Sequence, residues 1–546
     1  MRRLGCLWNV NRVWLRVMVA LLFGAPLLLW LTPTRAQEGG NAAGQEPLAR
    51  VDQAMAHLSE YLGETVSRDR TPFYWEALTW PDASLYCPVG ERTYPDTPVP
   101  GYRVRIVVRG VTYAYHMTAD GAAMVLCIDG KPDPSSDWGP LGSKIDWWGL
   151  ASRVEPGARL TVSGWGDGEG AQPILAAIAR FRDLFPGIEV GYRPERGDCA
   201  YLEDYYEVIK EQMAAGQASD VLAISPCLMS AFAPYQMLLP LDEYLGAVSL
   251  SRDDYVPALT AMFSYEGKLY AVPQKMDALA LVYLPHLFDE AGLPYPAPGW
   301  TWEDMKKAAR TISEVTGVYG VCVTPDVAPW AAAVYQAGGT ITDREYTEAH
   351  FNSPEAIAAL EFWYGMYDDG YGALPTAFDM DGCAEALGRE LAAMAWETMD
   401  NFDNLAEDFP GVAYAVAPLP AGPAGPGDVV FGVGAGVKAS TEYPVAAALL
   451  ALFLAGDESE QLLMESGAGL PTLRALLDDP WFESHPDMAV FARGALSGRP
   501  FYFGHSFYFG LEHRTVRDRI QEALQAVFYG ESDIQEALDA AVMRAR

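Results

Sequence analysis

An α/β protein, built on a parallel sheet with flanking helices and preceded by a small α+β unit, is what this sequence predicts. Three observations carry that expectation. Residues 159–245 alternate strand, helix, strand, helix, strand. Such alternation builds parallel sheets covered by helices. A stretch rich in Pro, Gly and Ser, Lys131–Pro156, reads as a linker and separates this region from a shorter one with mostly strand-like patterning, although its Trp138, Trp147 and Trp148 suggest that part of it packs on a neighbour. The 546 residues with 50% hydrophobic side chains suffice for about three folding units of roughly 150 residues each, and exclude general disorder.

The elements justify themselves in order. Leu160–Ser163 is a short β-rich run ending in a Gly-rich turn. Ile174, Ala177, Ile178, Phe181 and Leu184 recur at helical spacing, and Pro186-Gly187 stops that helix. Ile188–Tyr192 alternates as a strand, Leu202–Met213 is helical, and Asp220–Ile224 is an apolar strand. Sheets of this kind bind ligands at the carboxyl ends of their strands, where Trp165, Asp167, Glu169 and Ser225 fall. Asp167 and Glu169 also stand near a helix start, where the helix dipole favours acids without any ligand. In the earlier unit, about 47–130, Val51–Leu62 reads as a helix. Ala77–Trp80, Tyr102–Arg109, Val111–Met117 and Ala123–Ile128 read as strands, with a tight turn at Arg109-Gly110. His116 lies in an alternating strand without a partner motif, so a structural role is expected.

Arg2, Arg3, Arg12 and Arg16 precede an apolar run from Val17 to Leu31 that is short for a membrane span, and Thr34-Arg35-Ala36 follows with small residues. Residues 1–36 read as a signal peptide, with Gln37 the expected mature start; an uncleaved anchor is the alternative. The expected location is therefore exported, periplasmic or extracellular and associated with the cell envelope. The formal charge of −34 excludes nucleic acid and anionic membrane surfaces as partners. Six cysteines remain after the leader: Cys87, Cys127, Cys199, Cys227, Cys322 and Cys383. No Cys-x-x-Cys pair occurs. In an oxidising compartment disulfides are expected instead of a metal, and the domain layout suggests the pairs 87–127, 199–227 and 322–383, although six cysteines allow fifteen pairings. No G-x-S-x-G or H-E-x-x-H motif appears. Neither an enzyme, nor a cofactor, nor a metal site is expected.

Longer segments carry a resemblance. LPLDEYL follows the third strand, then EGKLYAVPQKMDALALVYLPHLFDEAGL, PGWTWEDMKKAARTI with Thr301 as N-cap, AVYQAGGTI, CAEALGRELAAMAWE and VVFGVGAGVKASTEYPVAAALLALFLAGDESEQLLMESGAGLPT. In this order and spacing they resemble the family 1 extracellular solute-binding proteins of ABC importers, over about 388 residues from Arg159. WPDASLYCPVG, PGYRVRIVVRGVTYAYHMTADG and VLC resemble a small two-cysteine domain of exported bacterial proteins.

The resemblance implies a two-lobed periplasmic-binding-protein-like fold (type II), whose hinged cleft closes on a solute. Lobe 1 would span about 159–275 and 428–470, lobe 2 about 278–425 and 475–546, after a linker at 131–158. It further implies a sugar or oligosaccharide ligand, an ABC transporter permease as partner, and a monomer. Sugars present apolar ring faces and a rim of hydroxyls, so their sites combine aromatic rings with carboxylates and amides. Candidate ligand contacts are Trp165, Asp167, Glu169, Ser225, Asp277, Trp330, Tyr335, Trp396, Glu397, Phe431 and Gly432. Three features depart from the family pattern: there is no lipobox, the small domain is additional, and Gln274-Lys275-Met276-Asp277 replaces the more aromatic or hydroxyl-bearing crossing segment of sugar binders. The alternatives are a binding module feeding a sensor or scaffold and, more distantly, a secreted glycosidase using paired carboxylates.

Overall fold

The computed structural model describes residues 42–80, 98–109, 111–121, 124–127, 145–165, 171–195, 202–343, 348–380, 382–501 and 516–545. The leader, Asp167, Glu169, Cys87 and Cys199 lie outside these residues, as do the side chains of Trp165, Cys127 and Cys227.

A helix, Ala42–Leu62, opens the described chain, beginning ahead of the expected Val51. Four strands follow: β1 (Phe73–Trp80), β2 (Val99–Val108), β3 (Val111–Thr118) and β4 (Met124–Cys127). They pair antiparallel in chain order. Strand periodicity gives the sheet two faces. Phe73, Val104, Ile106, Tyr115 and Met117 face the helix and pack with Val51, Ala54, Met55 and Leu58. Tyr74 and Glu76, directly opposite Arg105 and Arg103 in register, take the other face. The β2–β3 turn places Arg109 at φ 52. His116 is buried and stacks on Trp80 at 4.4 Å.

Residues 145–158 differ from the expected linker. Ile145, Trp147 and Leu150 are buried, and Trp147 packs on Phe453 at 5.4 Å. The carboxylate of Glu155 accepts from the Val445 and Ala446 amides, at 2.9 and 3.0 Å. It caps the fully apolar helix Pro444–Leu454, whose first amides lack intrahelical partners. Apolar bulk outweighs the Pro and Gly content here, and the segment joins the core that follows.

That core is built on β5 (Arg159–Trp165), β6 (Glu189–Glu195) and β7 (Val221–Ile224), all parallel. Ala177, Ile178, Phe181 and Leu184 are the buried stripe of helix Gln172–Leu184, as their spacing predicts. A short hairpin of β8 (Ser264–Tyr265) and β9 (Lys268–Leu269) leads into the 13-residue β10 (Ala271–Tyr283). The second lobe contains β11 (Val321–Cys322), β12 (Gly372–Ala373), β13 (Met394–Thr398) and β14 (Ala415–Ala417). β15 (Asp428–Val437) then returns to β7, and β16 (Gly498–Pro500) pairs parallel with the start of β15.

β10 joins the lobes. Residues 271–278 pair with β15, whereas 279–283 pair with β13 on one edge and, over 281–283, with β14 on the other. One continuous sheet, in order β13-β10-β15-β7-β5-β6, therefore runs through both lobes. Gly498–Pro500, expected in lobe 2, instead lies on the return strand, while helices Val516–Phe528 and Ile534–Ala545 pack on second-lobe helices. The lobe-2 helix Trp302–Thr316 begins with a capping box. Thr301 accepts from the Asp304 amide, and the Asp304 carboxylate accepts from the Thr301 amide.

Within this lobe a disulfide joins Cys322, at the end of β11, to Cys383, at the start of helix Cys383–Gly388, closing a separation of 61 residues. Cross-links of such loops stabilise a fold by roughly 2–4 kcal/mol through the unfolded chain. Cys322→Ser with Cys383→Ser should lower the melting temperature of the non-reduced protein clearly. An unchanged melting temperature, with both thiols alkylatable in the wild type, would contradict the cross-link.

Candidate functional site

The sequence candidates fall into distinct places. Trp165 ends β5 and Ser225 follows β7, so both stand at the carboxyl edge of the first-lobe sheet. Ser225 is the N-cap of helix Pro226–Phe232, its hydroxyl accepting from the Leu228 amide at 3.5 Å, which gives it a structural task of its own.

The crossing itself forms the central cluster. A strand that exchanges neighbours leaves amide groups without ladder partners, and buried amides require acceptors. Two buried carboxylates supply them. Asp277 accepts from the amides of Ala278 at 2.7 Å, Met399 at 2.8 Å and Asp400 at 3.4 Å. Asp428 accepts from Val429 at 2.7 Å and Leu279 at 3.3 Å. Asp277 thus also meets the first two amides of helix Met399–Asp408, whose N-cap, Thr398, accepts from the Asn401 amide. Expected as a solute contact, Asp277 instead has its oxygens engaged by the backbone. Burial, with the nearby Asp400 charge, pushes its carboxyl up to about 7 against the opposing pull of these amides and Lys275. Burial holds Asp428 well above the usual carboxylate range, and Asp277 adds to the effect.

Beside this pair lie groups that sequence reasoning passed over. A β-bulge between Pro273 and Lys275 re-aims the strand. Lys275 reaches across to Asp400, Nζ to Oδ1 at 3.1 Å. Asp400 is half exposed. Asp403 lies one turn on; burial and Asp400 raise its carboxyl to about 6. Asn401 and Asn404 sit exposed on the same first turns. The available signal was the run Asp400-Asn401-Phe402-Asp403-Asn404 directly after an apolar strand. Carboxylates and amides at a lobe boundary can accept from and donate to a rim of hydroxyls.

Other candidates belong to the core. Trp330 is 0% exposed and its indole donates to the Ala356 carbonyl at 3.1 Å, so it is enclosed within lobe 2 instead of lining a cleft. Trp396 is likewise buried, 4.8 Å from Trp363 and 6.1 Å from Phe362, in a cluster completed by Trp302 stacked on Phe362 at 4.2 Å. Truncating such a side chain typically costs about 3–5 kcal/mol of fold stability. Glu397 is buried beside it, its carboxylate accepting from Asn401 at 2.8 Å. A Cβ on Gly432 would come within 2.5 Å of Leu259, so this glycine permits close packing. Phe431 packs on Phe501 at 4.8 Å. Tyr335 carries the Arg499 guanidinium 4.8 Å over its ring, and Arg499 donates to the Gly339 carbonyl at 3.1 Å. Nothing local in the sequence distinguished Arg499.

Burial, with the Asp326 charge, raises the Glu397 carboxyl to about 7, against the pull of Asn401. Its unfolded value is about 4.3. The folded state therefore holds the proton more tightly. The stability this group contributes is complete below the unfolded value, and is lost as pH rises towards 7. Glu397→Gln keeps an acceptor for Asn401 and cannot ionise. Its melting temperature should exceed that of the wild type at pH 8, with the gap closing at pH 4; equal values at pH 8 would contradict the raised carboxyl.

A sequence profile of the bacterial extracellular solute-binding proteins matches residues 165–461, and one for a domain of unknown function (DUF8738) matches residues 51–127. An arabinooligosaccharide-binding protein of Bacillus subtilis is 26% identical over 246 residues, 43% of this chain and 56% of the relative. A maltotriose-binding protein of Pyrococcus abyssi is 24% identical over 163 residues, 30% of this chain and 34% of the relative. A binding protein of Brucella abortus is 24% identical over 285 residues, 50% of this chain and 66% of that protein. The chain thus spans less than two thirds of the length of these relatives. Among solved structures, an ABC substrate-binding protein from Listeria monocytogenes in complex with cycloalternan superposes with a TM-score of 0.61 at 20% identity, covering 71% of this chain and 98% of that one. The cyclic α-maltosyl-1,6-maltose binding protein from Arthrobacter globiformis gives 0.61 at 21% identity, with 71% and 98% covered. With more than half of its length matched by that profile, and with a sheet that threads two lobes through a shared strand, this chain belongs to the bacterial extracellular solute-binding proteins.

Proposed function

We propose that this protein captures a neutral carbohydrate between its lobes outside the cytoplasm and hands it to the permease of an ABC importer, without catalysis and as a monomer. The observation that carries this reading is the partner exchange of β10 at Ala278/Leu279, which places a seam in the one sheet that threads both lobes. A solute gripped by both lobes shifts an open–closed equilibrium about such a seam. Relatives that bind arabinooligosaccharides and maltotriose support the carbohydrate class.

The charge at the seam supports a neutral solute. A helix N-terminus ordinarily attracts anions. Here the amides of Met399 and Asp400 already face the Asp277 carboxylate, and Lys275 is paired with Asp400. An acidic sugar would meet Asp400 and Asp403 without a free cation among these groups. In this reading Asp400, Asn401 and Asn404 meet hydroxyls from lobe 2. Trp165, with Asp167 and Glu169, meets the sugar from lobe 1, and Tyr335 and Phe431 remain aromatic candidates on the rim.

A thermal-shift screen of Gln37–Arg546 tests this directly, because a ligand of the folded state raises the melting temperature by mass action. Neutral oligosaccharides, including maltotriose and arabino-oligosaccharides, should give a rise, and uronic acids none. Trp165→Ala should weaken affinity at least about 10-fold, the loss of a stacked ring. A response only to charged solutes or peptides would overturn the ligand class, and consumption of the sugar would overturn the non-catalytic reading.

A further inference from the structure

The small N-terminal sheet has two buried faces, and only one is covered by its own helix. On the second face Tyr74 is 1% exposed, Glu76 7%, Arg103 4% and Arg105 5%. Arg103 approaches the Glu76 carboxylate at 3.1 Å, and Arg105 at 3.8 Å. Arg103 also lies 5.5 Å over the Trp80 ring. Charges are left in so dry a place only where other groups enclose and balance them. Lobe 1 supplies groups that close over this face. The Tyr74 ring meets Phe185, at the end of helix Gln172–Leu184, with 6.1 Å between centroids. Tyr74 therefore belongs to the apolar core of the lobes, whereas its neighbour Phe73 belongs to the core of the small unit. Asp146 is close enough to act electrostatically on both Glu76 and Arg105. Asp146 is itself fixed to lobe 1, its amide donating to the Val248 carbonyl at 3.0 Å.

The position of this seam is as informative as its chemistry. Phe185, Gly187 and Ile188 mark the turn that enters β6, and Gly157 precedes β5. With Pro72 and Phe73 of the small unit they line one shallow groove. All of them lie at the amino ends of the parallel strands. Trp165 and Ser225 stand at the opposite, carboxyl ends.

We propose that residues 47–127 are docked on lobe 1 as a fixed base, through Tyr74 and the Glu76–Arg103–Arg105 set, at the end of the sheet remote from the cleft. The small unit and lobe 1 then form one rigid body, and lobe 2 alone moves when a solute is gripped. The base neither gates the cleft nor swings on its linker. The docking stands independently of the solute; only the assignment of motion to lobe 2 rests on the function proposed above.

Distance distributions between spin labels on non-native amino acids in the full chain test this. Ala56 in the small unit, Ala179 in lobe 1 and Lys307 in lobe 2 are exposed and suit labelling. The Ala56–Ala179 distance should be single and narrow, and unchanged by maltotriose. Tyr74→Ala combined with Arg105→Ala should broaden it, while an Ala56–Val111 pair stays narrow and shows that the small unit remains folded. A broad Ala56–Ala179 distribution in the wild type overturns the docking. A narrow one retained in the double variant overturns the role of these residues. A shift of Ala56–Lys307 with maltotriose supports lobe 2 as the moving body. No shift there, with Ala56–Ala179 still narrow, leaves the docking supported and counts against the solute reading alone.

Discussion

Two buried carboxylates make the architecture possible. β10 leaves β15 after Ala278, joins β13 from Leu279 and meets β14 from Leu281, and such an exchange strands backbone amides in a dry interior. Asp277 and Asp428 accept amides of the crossing, from Ala278, Leu279 and Val429, and Asp277 also takes those of Met399 and Asp400 at the start of the helix after β13. An unmet buried amide costs about 1–3 kcal/mol, so several together would rival the whole stability of a domain. The same acids mark a point where the sheet can bend, because side-chain bonds there take over from the ladder. The function follows from that constraint: two rigid lobes, one seam, and a polar rim at the seam made by the helix whose first amides Asp277 meets.

Each lobe is stiffened by its own means. Lobe 1 relies on its apolar helices and on Glu155, which draws residues 145–158 into the core by capping helix Pro444–Leu454. Lobe 2 relies on the Trp302–Phe362–Trp363–Trp396 stack and on Gln336, which accepts from the Trp302 indole at 2.6 Å and donates to the Gly427 carbonyl at 2.8 Å. Rigid bodies on both sides concentrate any motion at the crossing. The charged face of the small unit extends the same principle outward, since its arginines are balanced in place and poorly suited to exposure and re-burial.

Much of this was legible in the sequence wherever periodicity decided the outcome. The alternation over 159–224 gave the first-lobe strands and helices nearly to the residue, and Thr301 capped its helix as expected. The site was less legible, for a physical reason. An aromatic residue beside a turn looks the same whether it faces a cleft or a core, and three-dimensional packing assigned Trp330 and Trp396 to the core. Asp277 was singled out correctly as a residue of the crossing, but its partners, Met399 and Asp400, are over a hundred residues away and invisible to local pattern. Asp400 and Asp403, and the pairing of Lys275 with Asp400, were missed for the same reason, although the acid-amide run from Asp400 to Asn404 after an apolar strand was a usable signal. Over residues 145–158 Pro and Gly suggested a linker, yet the tryptophans signalled packing, and Trp147 is indeed buried together with Leu150.

A bound solute should move the lobes about the seam held by Asp277 and Asp428. Crystal structures of the protein, free and bound to an oligosaccharide, decide this. Each lobe should superpose on itself between the two states. The rotation should be confined to β10 near Ala278 and Leu279 and to the start of β15, with the Asp277–Met399 bond kept in both. Lobes that hold one fixed orientation in the two states, or a bend elsewhere in the chain, would contradict it.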